Sequence, residues 1–182
     1  MPTSSADVDD GAVTTVVALG AWCDFVTPDE YRQRLVRDGW RATVERQSGA
    51  RAHPAPFAPG STEEVEELVQ DFKQGLSFVV HEFAELADGR RLTLHEERGF
   101  TTGLGGSAPS DMWRYLTLEH LERDARTTVL PDNDDTQDEH PWEWLAELLR
   151  VHGIETTAEE LRLLPYDVVF SERLRARVMA EA

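Results

Sequence analysis

Residues 76–97, with the sequence LSFVVHEFAELADGRRLTLHEE, predict a β-hairpin around which the rest of the fold is expected to form. Two runs rich in β-branched and aromatic residues flank the dipeptide Asp88-Gly89. That dipeptide suits the positive φ angles of a two-residue type I′ turn. Such a turn places Ala87 opposite Arg90 and fixes the register of every pair further along the two strands.

The same register places two histidines opposite carboxylates. His81 faces Glu96 and Glu82 faces His95, with one pair on each face of the ribbon. A carboxylate that orients a histidine is the arrangement a general base needs, so these four residues are the candidates for catalysis if the chain is an enzyme. The alternative is that both are surface pairs that stabilise the ribbon, and two pairs on opposite faces cannot form one active site. A register slip of one residue would abolish both pairs.

The remaining elements favour an α+β fold. Further strands are predicted near residues 12–19 and 40–46, besides the hairpin strands near 76–86 and 90–97. A Thr27-Pro28-Asp29-Glu30 start predicts a helix, and a second helix follows Ser61. Beyond the hairpin every predicted element is helical. We therefore expect a small, mostly antiparallel sheet packed by helices, with a helical C-terminal half.

The domain organisation follows from composition. Residues 1–11 are small, polar and acidic, which predicts a disordered tail. Residues 12–182 form one predicted domain, sheet-rich over 12–102 and helical over 109–181.

The charge of the chain restricts its partners. Eighteen Lys and Arg stand against 35 Asp and Glu, a net charge of −17, which argues against nucleic acid as a partner and favours a protein with a basic surface. Residues 32–51 are locally basic, and this strip either contacts a partner or pairs with the Glu-rich helix at 63–71. No apolar run is long enough to cross a membrane.

Three residue types point to the source of the chain. It contains one lysine, one isoleucine and one asparagine, whose codons are rich in A and T, so we expect a GC-rich and bacterial gene. A single cysteine, Cys23, excludes an internal disulfide and fits a reducing cytoplasm. Its apolar neighbours predict a buried thiol rather than a nucleophile.

An acidic loop, residues 131–140, precedes the helix predicted to start at Pro141. It resembles a calcium loop in spacing, but Gln137 stands where the sharp turn needs glycine, so we expect no metal. We interpret it instead as an interaction-prone segment. Its candidate binding residues are Asp132, Asp134, Asp135, Asp138 and Glu139.

Two further sequence features do not predict a cofactor or metal site. Residues 103–108 fit a dinucleotide-binding glycine pattern, but no βαβ unit surrounds them, so we expect a flexible loop and no cofactor. His120, His140 and His152 have no metal-ligand spacing and are expected to be surface or capping residues.

Two tryptophans provide a candidate contact. Trp142 and Trp144 are two positions apart on a predicted helix, so one should enter the core while the other lies at a boundary. The edge formed by Trp144, Leu148 and Val151 is the candidate exposed apolar strip.

Three functions remain open. The first is a non-enzymatic, intracellular, acidic regulator of a protein partner, of the immunity or inhibitor kind. The second is a small enzyme or ligand-binding domain that uses a His/Glu pair in a pocket between sheet and helices. The third is a subunit of a larger protein assembly. The sequence contains no recognisable set of catalytic residues, which favours the first function. The sequence does not specify the oligomeric state.

Overall fold

The structure is a computed structural model that describes residues 14–37, 61–103, 112–130 and 140–181. The predicted tail at 1–11, the predicted strand at 40–46 and residues 131–139 of the acidic loop lie outside these ranges. The strands are β1 (Val16–Val26), β2 (Leu76–Leu86), β3 (Arg91–Thr102) and β4 (Tyr166–Phe170). The helices are α1 (28–37), α2 (Thr62–Phe72), α3 (Leu118–Val129), α4 (Trp142–Val151), α5 (Ala158–Arg162) and α6 (Glu172–Met179).

The described strands form one sheet in the order β3-β2-β1-β4. β1, β2 and β3 pair antiparallel, whereas β4 runs parallel to β1. The fold is therefore α+β with a mostly antiparallel sheet and helices concentrated in the C-terminal half, as the sequence predicts. None of the helices in the described ranges combines the length and the apolar character needed to span a bilayer.

Helix starts follow the capping residues in the sequence. The Thr27 hydroxyl accepts the N–H of Glu30, whose carboxylate accepts the N–H of Thr27 in return. Ser61 caps α2 and Thr117 caps α3. Thr157 and Glu160 complete a reciprocal capping box on α5. The contacts of Thr27 and Ser61 confirm the two helix starts that the sequence predicts.

Strand β4 is not among the predicted elements. Its sequence YDVVF spans five residues after Pro165 and pairs with β1 from Leu19–Tyr166 to Cys23–Phe170. The expectation of a wholly helical C-terminal region is therefore wrong at this point. A run of five residues carries too little periodicity to announce a strand, and its partner lies more than a hundred residues earlier in the chain.

The hairpin forms, but its turn differs from the predicted one. Gly89 has a φ of 82°, and every described residue with a positive φ is a glycine. Asp88 therefore lacks a positive φ. This excludes a type I′ turn, which needs a positive φ at both of its central residues. The N–H of Leu86 donates to the carbonyl of Arg90, and Gly89 donates back to the carbonyl of Leu86. The loop therefore has three residues, a turn followed by a left-handed glycine. This shifts the adjacent pairs by one, so Glu85 faces Arg91 rather than Leu92.

A bulge in β3 then restores one predicted pair. The register changes on either side of Glu82, because β3 carries extra residues at these points. Glu82 faces His95, as predicted, whereas His81 has no single partner because Glu96 and Glu97 both lie opposite it. The predicted uniform register is therefore wrong. The shift at the turn and the first extra residue of β3 cancel at the pair of Glu82 and His95, and the second extra residue shifts the pairing again from Val80 onward.

Helices α3 to α6 pack on one face of the sheet and form two buried clusters. The first cluster joins the sheet to α4 and α5 through residues that include Leu19, Ala84, Leu94, Trp142, Leu145, Leu149 and Leu161. The second joins the sheet to α3 and α6 through residues that include Ala21, Cys23, Phe78, Val80, Leu121, Leu174 and Val178. Glu82 lies on β2 between Val80 and Ala84, so a carboxylate sits where the two apolar clusters meet.

Candidate functional site

The most unusual feature of the core is a buried carboxylate–imidazole pair. Nε2 of His140 lies 3.2 Å from Oε1 of Glu82, and each side chain is only 1% exposed. The edge of the Trp142 ring packs against the His140 ring, with 4.3 Å between centroids. Water is excluded from this contact, and removing polar groups from water is costly unless their hydrogen bonds are replaced.

The buried pair does not make all the hydrogen bonds that its polar atoms could form. Oε2 of Glu82 and Nδ1 of His140 have no hydrogen-bond partner in the part of the chain that the structure describes. Buried polar atoms are nearly always hydrogen-bonded, and an exception needs a structural or functional cause. Oε1 and Nε2 share one hydrogen bond, while Oε2 and Nδ1 each have the capacity for a further one.

The prediction for His140 is wrong. It was expected at the surface or as a capping residue, but it is buried and reaches β2 from a position 58 residues further along the chain. No local pattern marks such a contact. The only signal is the tripeptide His140-Pro141-Trp142, in which a histidine precedes a helix that begins with a buried tryptophan.

A second histidine adjoins the pair from the neighbouring strand. His95 faces Glu82 across the β2–β3 ladder and therefore shares its face of the sheet. Its ring makes an edge contact with Trp144, with 5.5 Å between centroids. Trp144 is 44% exposed, whereas Trp142 is 5% exposed, which confirms that the two tryptophans divide between core and surface.

His81 lies on the opposite face of the sheet and takes no part in this arrangement. Its ring packs against Trp22, the partner of His81 on β1. Burial lowers the pKa of His81, and the charge of Arg34 lowers it further, while the charges of Glu96 and Asp24 act in the other direction. The four residues proposed for catalysis are therefore split between two faces, as two separate groups.

The other buried carboxylate among the described residues is Asp24, and its hydrogen bonds are satisfied. It accepts hydrogen bonds from the Ser171 hydroxyl and from Nε of Arg173, both at 2.6 Å, and from the N–H of Phe25. Arg173 also donates to Glu30 at the start of α1. These bonds tie α6 to β1 and α1, which is a structural role and contrasts with the half-satisfied Glu82.

Cys23 is an inert thiol. It is fully buried in the second cluster, and burial together with the neighbouring Asp24 raises its pKa to about 12. A thiol that stays protonated at neutral pH is a poor nucleophile, which agrees with the predicted buried cysteine.

An acidic surface lies on α2. Val65 and Val69 are buried on one side of this helix, while its sequence TEEVEELVQDF carries five carboxylates and no basic residue. An open and shallow depression of about 540 Å³, which we call the groove, lies against the outer side. It is lined by Glu63, Glu66, Glu67, Gln70 and Asp71.

One arginine of the basic strip contacts this surface. Arg32 donates to Glu66 at 2.9 Å and to Asp29 at 2.7 Å. Pairing within the chain therefore accounts for Arg32, and the part of the strip beyond residue 37 lies outside the described residues.

Residues 131–139 of the acidic loop, which the sequence predicts as a binding segment, lie outside the described residues. This applies to all five of its candidate binding residues, Asp132, Asp134, Asp135, Asp138 and Glu139. Within the described ranges, no three His, Cys, Asp or Glu side chains cluster in a way that could hold a metal ion.

No protein-family model, no curated protein and no solved structure matches this chain. Function must be argued from its own residues.

Proposed function

We propose that this chain is a non-enzymatic, acidic regulator that binds a protein partner through a basic surface of that partner. The observation that carries the proposal is the outer face of α2, where Glu63, Glu67 and Asp71 line one open groove. Its setting is the cytoplasm of a bacterium, for which the single cysteine and the scarcity of lysine, isoleucine and asparagine are the support.

Electrostatics explain why such a face favours a basic protein. The carboxylates on α2 are exposed and close in space, and the whole chain adds a net charge of −17. Complementary charge accelerates association and excludes partners of like charge. Arg32 compensates Glu66, but it leaves the line from Glu63 to Asp71 strongly negative.

A charge-reversal pair tests the proposal. The variant E63K/E67K/D71K changes the groove, and the control E119K/E159K/E172K changes three exposed glutamates on other helices. Each variant exchanges three carboxylates for three lysines, which raises the net charge by six units, so the two variants have the same net charge. Tagged proteins are used to recover partners from cells of the source organism, at about 0.1 M and about 1 M salt, where screening lengths differ several-fold.

The expected result is one basic protein that the wild type and the control variant recover at low salt. The groove variant loses it, and high salt releases it from both of the others. Equal recovery by both variants, or recovery of no basic protein, would overturn the proposal.

A small enzyme or ligand-binding domain is the second candidate function. The observation in its favour is the pair of partnerless atoms, Oε2 of Glu82 and Nδ1 of His140, on the helix-covered face of the sheet. A metabolite that raises the melting temperature of the wild type but not of E82Q would support this candidate. A library that produces no such shift would speak against it.

A further inference from the structure

Helix α4 leaves part of its outer side apolar. Trp144 is 44% exposed and Val151 is 75% exposed, while Leu148 between them is half-buried. At 3.6 residues per turn these three side chains lie within about 60° of one another around the helix axis. They form a continuous line along α4, which we call the Trp144 strip.

The Trp144 strip is held rigidly by the core. Leu145 and Leu149 on the inner side of α4 are fully buried, and Trp142 is buried beside them. His95 supports the Trp144 ring from β3 in an edge contact at 80° between ring planes. A tryptophan that is oriented before binding loses little conformational freedom on contact, and tryptophan is the residue type most enriched at interface hot spots.

Charges around the Trp144 strip are mainly negative. Glu143 and Glu147 are exposed on one side of it, and Glu155 follows α4. Arg150, the one basic residue of α4, pairs with Glu147 and approaches Glu155 at 4.0 Å. A guanidinium shared by two carboxylates leaves a net negative rim.

The negative charge around the Trp144 strip restricts which kind of partner can bind there. A second copy of this chain would bring its own charge of −17 against the same carboxylates, and like charges across an interface are costly. A segment with lysine or arginine beside an apolar side chain would meet complementary charge as well as the exposed tryptophan.

We propose that the Trp144 strip is the docking surface for a segment of a different protein, in which an apolar side chain is flanked by lysine or arginine. This inference rests on the proposed function, since it identifies where that basic partner is anchored. The tryptophan supplies the apolar contact, and Glu143 and Glu147 set the orientation of the segment.

Site-specific photo-crosslinking in cells of the source organism tests this proposal. A benzophenone side chain replaces Val151 in one full-length protein and Tyr115, an exposed aromatic residue outside the strip, in the control. We expect position 151 to yield an adduct with another protein, whose crosslinked peptide has an apolar residue and a basic residue within one helical turn. Position 115 should not yield this adduct.

Affinity measurements with the crosslinked partner complete the test. W144A should weaken binding by about tenfold or more, the effect of truncating a hot-spot tryptophan. Y115A, the matched aromatic truncation, should stay within about twofold of the wild type. Because both side chains are exposed, neither change should prevent folding, and E143K/E147K provides a second variant that should slow association.

The outcomes separate this inference from the function on which it rests. If E63K/E67K/D71K loses a basic partner while W144A retains it, the Trp144 strip is not the anchor and the proposed function stands. Adducts between two copies of the chain, with another segment of the same chain, with a peptide lacking basic residues, or no adduct at position 151 would each overturn the inference. Failure to find any basic partner by either experiment would overturn the proposed function itself.

Discussion

Glu82 and His140 meet through a single 3.2 Å contact across 58 residues of chain, at the point where two apolar clusters adjoin. This contact ties the centre of β2 to a residue two positions before the start of α4. Since α4 carries the Trp144 strip, the pair positions the strip against the sheet. A buried pair of this kind adds little net stability over a well-packed apolar pair, so replacing both partners tests whether it selects one arrangement of α4.

The first prediction concerns this pair. Replacing His140 by alanine leaves Glu82 buried without a partner, which should lower the free energy of unfolding by about 3–5 kcal/mol. Urea denaturation followed by tryptophan fluorescence measures the change. The control is His152→Ala at the exposed end of α4, which should stay within about 0.5 kcal/mol of the wild type. Equal stability of the two variants would show that the contact does not stabilise the fold.

A second prediction follows from replacing both partners. The double variant E82M/H140L removes the polar atoms together and should be as stable as the wild type or more stable by about 1–4 kcal/mol. If it is stable and also binds the partner normally, apolar packing alone holds α4 in place and the pair is not needed to position the Trp144 strip. If it is stable but fails to bind, the polar pair is required for binding.

The third prediction concerns the hairpin turn. Gly89→Ala forces an L side chain into a left-handed conformation and should cost about 1–2 kcal/mol of folding free energy. Gly103→Ala is the matched control, because a Cβ meets open space at both positions and only Gly89 has a positive φ. Thermal or urea unfolding checks the difference, and identical values would argue against the three-residue loop.

The fourth prediction concerns pH. Burial lowers the pKa of His81 below its value in the unfolded chain, so the neutral form is favoured in the folded state. Its stabilising contribution is therefore present above about pH 6.5 and is lost as the pH falls through the unfolded-state pKa toward the folded one. The stability of H81Q should fall less than that of the wild type between neutral and mildly acidic pH.

The same histidine reports on the β3 bulge. Glu96 raises the pKa of His81, so Glu96→Gln should lower that pKa further. An NMR titration of the His81 ring in both proteins measures it. An unchanged pKa would place Glu96 too far from His81 for the described register.

The fifth prediction concerns the satisfied carboxylate. Arg173→Ala removes a charge-assisted hydrogen bond to Asp24 and should cost about 1.5–3 kcal/mol. Arg175→Ala, an exposed arginine two positions further along α6, should have little effect. Chemical denaturation compares the two, and equal losses would mean that helix propensity rather than the Asp24 contact is measured.

Local signals predict much of this fold. The reciprocal bonds of Thr27 with Glu30 and of Thr157 with Glu160 follow from residue types three positions apart, and the division between Trp142 and Trp144 follows from helix geometry. Such patterns act within one turn of helix, where the sequence carries its own geometry.

Contacts between distant segments were not predictable in the same way. Asp88-Gly89 is compatible with a two-residue and a three-residue loop, so the register slipped by one next to the turn. Strand β4 forms because β1 offers a free edge, and His140 is buried because Glu82 lies beneath it. Neither cause is visible in the residues surrounding β4 or His140.

Attraction of a basic protein by the acidic face of α2 should be visible in the association rate constant. The rate for wild-type, E63K/E67K/D71K and E119K/E159K/E172K proteins would be measured against the recovered partner at several salt concentrations. We predict that the wild type and the control variant associate at rates that fall steeply with salt, while the groove variant is slower by about tenfold or more at low salt. Equal rates for the two equally charged variants, or rates that do not depend on salt, would contradict the claim.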